Sequence, residues 1–490
     1  MNAYNELMGY QHQTEALAQV MMRLGWDQET MMPRGAATQR GEEMAALEGV
    51  LHARRTDPKL ADLLGLATAD GPVAEAKLRL IEREHARATK VPADLAAELA
   101  RVTSVAQGVW AEARGSEDVA SFLPTLANVV DLRRQEAAAL ATGGDLYDAL
   151  VDDYEPEMSG AQIETLFDKL RPRLVALRSA VLDSGPAPDA LAGVFPAEQQ
   201  LALTQQIART FGYDMERGRI DQAVHPFSSG SGADVRITTR TQESDPFNCL
   251  YSTIHEVGHA CYEQNINADY ALTPLGRGVS MGVHESQSRI YENQLGRSRA
   301  FTGWLYGRMV DQFGALNLPD AEAFYRAVNR VGSGYIRTEA DEVHYNLHVM
   351  LRFDLERALI KGDLQVGDLE AAWNDRFAAD FGIAVDRPSN GLLQDVHWSV
   401  GLFGYFPTYS LGNVYAGCLH AALRRDLPDL DAQLAQGDLG PATGWLARKV
   451  QTHGSAMKPA DVIRSATSAE ISEVPLLDYL ETKFSDLYGI

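Results

Sequence analysis

The sequence predicts a mainly α-helical protein that carries one small antiparallel β-sheet. Three observations lead there. Residues 1 to 215 repeat apolar positions at three- and four-residue intervals, stretch after stretch, with proline and glycine between the stretches. After Gly212 the pattern shortens to an alternation of polar and apolar residues. From Phe247 the helical period returns and runs to the C-terminus.

The elements follow in order. Residues 10–26 form the first expected helix, with Leu17, Val20, Met21 and Leu24 on one apolar face, and Pro33 and Gly35 end it. Further helices are expected over 38–55, 73–89, 94–113 and 117–141. Pro58, Gly71-Pro72, Pro92 and Gly115-Ser116 punctuate them, with Asp94 and Ser116 as N-caps. Gly143-Gly144 marks a loop and 160–184 another helix. Gly185-Pro186-Ala187-Pro188 reads as a linker before a helix over 197–211. Residues 218–221 and 234–240 alternate as short strands do, and Ser228-Ser229-Gly230-Ser231-Gly232 between them reads as a flexible turn. Helices resume over 247–264, 283–295, 299–313, 321–331, 346–360 and 409–424. The chain thus divides into an N-terminal helical region, 1–215, and a second region, 216–490, the two forming one continuous unit.

Composition excludes several classes of function. With 45% apolar and 23% charged residues the chain is of ordinary globular type. A formal net charge of −23 leaves no excess of Lys and Arg to displace phosphate counterions, so no nucleic-acid partner is expected. The three cysteines, Cys249, Cys261 and Cys418, are too sparse for a disulfide framework and suit a reducing compartment. Met1-Asn2-Ala3-Tyr4-Asn5-Glu6 does not lead into a signal-peptide pattern, and no apolar run approaches the ~18 residues of a membrane span. A cytoplasmic protein without a membrane partner is expected.

Chemistry concentrates at His255-Glu256-Val257-Gly258-His259, an H-E-x-x-H pattern inside a helix-competent run. Positions four apart share a helix face, so the two imidazoles can meet one metal ion, with Glu256 beside it to take a proton from bound water. A hydrolytic zinc site wants a third protein ligand and one open position. Glu285, on the next helix after the break at Pro274 to Gly278, is the best candidate, with Glu263, Asp269 and Glu292 also in reach. No third histidine follows at the spacing of the extended H-E-x-x-H-x-x-G-x-x-H pattern, since Asn265 begins a stretch without one. The strand just before the histidine helix is placed to hold an extended peptide by its backbone, if it lies at a sheet edge.

Seven of the twelve histidines lie between His225 and His397. His344 and His348 form a second pair four apart. No carboxylate follows the first, so supporting or substrate contacts, or simple packing, suit them better than a metal. If the substrate presents a free carboxylate, arginine is suited to read it, because its planar fork pairs with both oxygens. Arg236 and Arg337 are the candidates, and for each the alternative is a structural ion pair, with Asp234 or Asp341 as partner.

These motifs together resemble the carboxypeptidase Taq family of thermostable zinc carboxypeptidases. The likeness stands at His225-Pro226-Phe227, Asp234-Val235-Arg236-Ile237-Thr238, His255 to His259 and His284-Glu285-Ser286-Gln287. It continues at Ile336-Arg337-Thr338-Glu339-Ala340-Asp341 and Gly391-Leu392-Leu393-Gln394-Asp395-Val396-His397-Trp398, and includes Leu24-Gly25-Trp26-Asp27, Met32-Pro33 and the ending Leu487-Tyr488-Gly489-Ile490. The resemblance implies a mainly helical, neurolysin-like zincin fold with a long active-site groove, of which 1–215 forms one wall, and usually a homodimer. It implies zinc, replaceable by cobalt, and removal of single residues from peptide C-termini with broad specificity, proline excepted. His255, His259 and Glu285 match the ligands and Glu256 the general base. It favours Arg337, and less strongly Arg236, as anchors of the peptide carboxylate.

For the remaining roles, Tyr409, His397 and His225 are candidates for a neutral donor to the oxyanion. Gln394, Asp395 and Trp398 are expected to shape the closed end of the groove, unless Asp395 orients a histidine instead. Trp26 and Trp110 are assigned to the core. An endo-oligopeptidase on the same scaffold is the alternative function. An aminopeptidase is disfavoured because no Gly-x-Met-Glu-Asn sequence is present, and a binding protein without catalysis because the ligands and Glu256 are all in place.

Overall fold

Apolar periodicity becomes helix over most of the chain, as the sequence predicts. The computed structural model describes residues 2–490, and its α-helices are interrupted by a single three-stranded sheet among the described residues. The chain forms two compact units. The first comprises residues 2–89, Pro188–Asn329 and Cys418–Ile471; the second comprises Lys90–Ala187, Arg330–Gly417 and Ser472–Ile490. The linker-like Gly185-Pro186-Ala187-Pro188 is where the chain returns to the first unit, and residue 215 lies inside that unit. No described helix is long and apolar enough to cross a membrane.

In the first unit the opening helix is longer than expected, Ala3–Thr30, and it buries a different face. Leu7, Gln11, Thr14 and Trp26 are its buried residues, whereas Val20 is 44% exposed. Leu7 packs with Leu60, Leu63 and Ile81. Both buried polar residues have partners: Gln11 donates to Glu15 (3.0 Å), and Arg54 reaches across to donate from Nε to Thr14 Oγ1 (2.9 Å) and from its NH2 nitrogen to the Tyr10 carbonyl (2.7 Å). Apolar spacing alone misses a face organised by a neighbouring arginine.

The sheet also departs from expectation. It is mixed: β1 (Ile220–Gln222) runs parallel to β3 (Asp234–Thr239), and β2 (Ser228–Ser231) pairs antiparallel with β3 from the other side. The serine-rich stretch expected to be a turn is therefore a strand, with Ser231 opposite Asp234. Its register is set by pairing, and Gln19 of the opening helix donates to Ser231 Oγ (2.6 Å). The strand expected to offer a free edge, β3, lies in the centre with partners on both sides. Alternation holds over 234–237, with Val235 and Ile237 fully buried, and ends at Thr238, which is buried too; Thr253 of the histidine helix donates to Thr239 (2.9 Å).

In the second unit, Ser116 ends the helix Ala93–Ser116 instead of capping the next one. Glu117 takes a left-handed conformation (φ 58°), and Asp118 caps Val119–Ala141 by accepting the Ser121 N–H. Asp94 sits in a first turn that begins after Pro92. The helix Glu342–Lys361 is buried over most of its length. Its Glu356 has no exposed surface and accepts from Trp398 Nε1 (2.8 Å), Tyr147 OH (2.9 Å) and the Gly404 N–H (3.0 Å), which ties three separate segments to one carboxyl.

Candidate metal centre

The histidine helix is Pro246–Asn265. Asp245 caps it, its side chain accepting the Phe247 and Asn248 N–H groups, and Pro246 occupies the first turn, where no N–H is needed. The four-residue spacing stacks His255 and His259 on one face, with ring centroids 4.9 Å apart. The helix that follows, Met281–Arg289, starts at Ser280, whose side chain accepts the Val283 N–H.

The two helices meet at Gly258. A Cβ at this position would lie 2.6 Å from both the Gln287 carbonyl oxygen and Ser288 Cα, which are backbone atoms and cannot swing aside. Only glycine permits that approach. It brings Glu285 onto the histidine face, with Oε2 3.7 Å from His255 Nε2 and 3.5 Å from His259 Nε2. One donor atom from each of the three residues lies within 4.8 Å of the others. A tetrahedral ion with bonds of ~2.0–2.1 Å holds its donors ~3.4 Å apart, so the distances from Glu285 to both histidines fit an ion of zinc's size with contraction of a few tenths of an ångström. Gly258→Ala is expected to separate the helices and weaken metal binding by ~10-fold or more. Competition with a chromophoric chelator measures this, and an unchanged affinity would show that the close approach is not required.

A layer of polar groups orients the donors. His255 Nδ1 lies 2.9 Å from Glu292 Oε2, and Glu292 Oε1 accepts from Arg297 (3.1 Å). Glu285 Oε1 accepts from Arg289 Nε (2.6 Å) and Oε2 from Ser288 Oγ (3.1 Å). His259 Nδ1 faces His284 Nδ1 at 2.6 Å, and His284 Nε2 lies 3.0 Å from Glu263 Oε1. Burial favours the neutral Glu285, but Arg289, His255 and His259 outweigh it and hold this carboxyl well below the usual range. Burial pushes His259 down to about 3, so its imidazole is neutral, the form that can bind a metal ion. Glu256 is 7% exposed, and burial pushes it up to about 7.

Of the other carboxylates weighed as ligands, Glu292 and Glu263 stand behind the histidines, and Asp269 is exposed in the turn Ala268–Tyr270. The contacts of Arg289 with Glu285 and of His284 with His259 were not foreseen from the sequence. The spacing Glu285, Arg289, Glu292 was a signal, since such positions share a helix face. The π-helical turn Ile290–Leu295 that carries Glu292 leaves no such mark in the sequence.

The second unit gathers another group of the expected residues. Arg337 is 5% exposed and donates from Nε and its NH2 nitrogen to Asp395 Oδ1 (3.3 and 2.9 Å) and from NH1 to Tyr345 OH (3.3 Å). Its guanidinium lies over the rings of Phe406 (5.4 Å) and Tyr409 (5.1 Å). Its acidic partner is thus Asp395 and not Asp341, whose side chain caps the helix Glu342–Lys361 and contacts His344. Arg352 Nε donates to Asp395 Oδ2 (2.7 Å), so one carboxylate serves two arginines. Gln394 is engaged with backbone: Oε1 accepts the Arg337 N–H, and Nε2 donates to the Tyr335 and Asn390 carbonyls. His397 Nε2 lies 3.4 Å from Tyr409 OH, and burial pushes this histidine down to about 4. His348 packs on Phe381, 4.4 Å between ring centroids.

Two further candidates lie in the first unit. Arg236 forms a two-point ion pair with Asp234 (2.7 and 2.9 Å) and lies 4.6 Å over the ring of Trp26, which is buried as expected. His225 is exposed in the segment between β1 and β2. Trp110, in the second unit, is half-buried and donates to the Leu393 carbonyl (3.1 Å).

A family model described as carboxypeptidase Taq (M32) metallopeptidase matches residues 6–484. The chain belongs to the carboxypeptidase Taq family. It is 40% identical to thermostable carboxypeptidase 1 of Thermus thermophilus over 99% of each chain. The crystal structure of an M32 carboxypeptidase from Deinococcus radiodurans superposes with a TM-score of 0.96 at 38% identity, covering all of both chains. Metallocarboxypeptidase 1 of Trypanosoma cruzi superposes with a TM-score of 0.96 at 34% identity, covering 98% of this chain and 99% of that one. As a carboxypeptidase Taq metallopeptidase the protein is a peptide hydrolase, and the His255, His259 and Glu285 donors fit the divalent ion that this class uses.

Proposed function

We propose that this enzyme is a zinc-dependent carboxypeptidase that removes single residues from peptide C-termini with broad specificity. The observation that carries the reading is the convergence of His255, His259 and Glu285 on one point, with Glu256 buried on the same helix. Zinc, when bound there, supplies Lewis acidity that polarises the scissile carbonyl and acidifies the attacking water. His255 and His259 hold it through Nε2, and Glu285 through the oxygen that Arg289 leaves available. Glu256 takes the proton of the attacking water and returns it to the leaving amine, a role suited to a carboxyl whose burial raises its basicity. Tyr409, His397 and His225 remain the candidates for donating to the oxyanion, and a neutral His397 suits that task.

Arg337 is our candidate for the anchor of the peptide carboxylate. Two arginines share Asp395, so this buried group keeps one net positive charge that an incoming carboxylate would balance. Asp395 and Gln394 then hold Arg337 in place, from its side chain and its backbone respectively. Arg236, with its fork already on Asp234, is the weaker anchor. Cobalt is proposed as a working substitute for zinc, a homodimer as the assembly and the cytoplasm as the location, the last in keeping with three buried cysteines.

One experiment tests the central reading. A peptide with a free C-terminus and the same peptide as its C-terminal amide are incubated with the zinc-loaded enzyme, and products are identified by mass spectrometry. Stepwise loss of C-terminal residues from the free peptide alone is expected. In Arg337→Ala, kcat/KM for the free peptide is expected to fall by ~30-fold, or ~2 kcal/mol, for the lost charge-assisted pair. Internal cleavage of both peptides at equal rates would replace this reading with an endo-oligopeptidase.

A further inference from the structure

We propose that His284 and Glu263 form a hydrogen-bond relay that fixes the tautomer of His259 and so keeps its Nε2 lone pair toward the metal. The inference rests on the metallopeptidase reading of the centre. His259 Nδ1 and His284 Nδ1 are 2.6 Å apart. One of these nitrogens must carry the proton and the other accept it, because two N–H groups would clash and two lone pairs would form no bond. His259 Nε2 is the atom beside Glu285 Oε2, at 3.5 Å, and needs its lone pair there to ligate. Neutral His259 therefore carries its proton on Nδ1 and donates to His284. His284 then carries its own proton on Nε2 and donates to Glu263 Oε1 at 3.0 Å. Every ring nitrogen of His259 and His284 then has one role, and the roles agree.

The surroundings are built to keep this arrangement. Glu263 is 6% exposed, and its Oε1 also accepts the Gly278 N–H at 2.8 Å. Its Oε2 is buried without a hydrogen bond, a costly state for a carboxylate that only packs. A Cβ on Gly278 would stand 2.6 Å from His284 Cδ2 and 3.0 Å from Tyr262 Cε1, so glycine is what lets this N–H reach Glu263 with His284 in place. The Tyr262 ring, 5.1 Å from the His284 ring, closes another side. The two ligand histidines thus differ in their support. His255 is backed directly by a carboxylate, whereas His259 is backed by an imidazole with a carboxylate behind it. Glu263 lies one helical turn past His259, and His284 immediately precedes Glu285, so the two helices that supply the ligands also supply the relay. His284 and Glu263 are positioning residues; neither needs to touch substrate.

The full-length protein, with His284→Gln and His284→Phe, tests this. Glutamine keeps an acceptor for His259 and a donor for Glu263, while phenylalanine keeps the aromatic volume against Tyr262 and neither hydrogen bond. Zn2+ affinity is read by chelator competition, and geometry from the visible absorption of the Co2+-loaded protein. The relay predicts that Phe weakens Zn2+ binding ~10–100-fold and alters the Co2+ spectrum, while Gln stays within a few-fold of wild type. A packing role predicts the reverse order. Phe binding as tightly as wild type, or Gln and Phe impaired equally, overturns the relay. If circular dichroism shows that the Phe variant does not fold, Glu263→Gln and Glu263→Ala replace the pair. Glutamine, which can still accept from His284, is then expected to bind Zn2+ more tightly than alanine, and equal affinities overturn the proposal. Wild-type stoichiometry separates the two levels: wild type that binds no Zn2+ defeats the reading of the centre itself, whereas tight wild-type binding with an unaffected Phe variant defeats the relay alone.

Discussion

Glu256→Gln is expected to retain one bound metal ion per chain and to lose ~10³-fold in kcat/KM, or ~4 kcal/mol of transition-state stabilisation. The substitution is nearly isosteric and removes only the ability to accept a proton. Glu256 is not among the three metal donors, so occupancy is expected to survive. Its burial makes the carboxyl a stronger base than an exposed glutamate, and that basicity is what the variant forfeits. The same group is expected to govern the acid limb of the pH profile. As pH falls, protonated Glu256 can no longer accept the proton of water, so kcat/KM declines through its titration. Steady-state kinetics on metal-quantified enzyme checks both statements. Turnover near the wild-type level in a fully loaded variant would remove Glu256 from the role of base.

Glu285→Ala is expected to leave bound zinc below ~0.1 per chain after dialysis, because two histidines alone do not complete a hydrolytic site that uses three protein ligands. The loss is specific to the donor set. Arg289, which donates to Glu285, also contacts Glu292 at 3.4 Å and so keeps a carboxylate partner in the variant. The helix Met281–Arg289 retains its Ser280 cap and its packing at Gly258. Circular dichroism close to wild type is therefore expected alongside the loss of metal. Full metal occupancy in Glu285→Ala would point to Glu292 or Glu263 as the third ligand and would reverse the roles assigned to them here.

The legible parts of the sequence are those fixed by local rules. Four-residue spacing puts His255 and His259 on one helix face whatever surrounds them, and alternation marks Val235 and Ile237 as inward-facing. The Arg236–Asp234 pair was legible as an alternative because the two residues are two apart on one strand and so share a face. Residues whose partners are distant in sequence were harder to read. Asp395 lies 58 positions from Arg337, and nothing local distinguishes it from Asp341. The opening helix buries Leu7 against Leu60, Leu63 and Ile81, and Arg54, 40 positions away, gives Thr14 a partner on the buried side, none of which shows in local spacing. The sheet was misread because serine and glycine carry little strand preference of their own, and pairing with β3 overrides it.

The sequence by itself determined the helical class, the placing of two imidazoles on one helix face with a carboxyl beside them and, through its ordered motifs, the family. Each of these follows from short-range spacing, which the geometry of a helix or strand converts directly into position. Tertiary structure alone decided how closely the two ligand helices approach, which group stands behind each histidine and which acid pairs with each buried arginine. Those outcomes depend on contacts between segments far apart in the chain. At Gly258 a single missing Cβ sets whether three donors meet at one point.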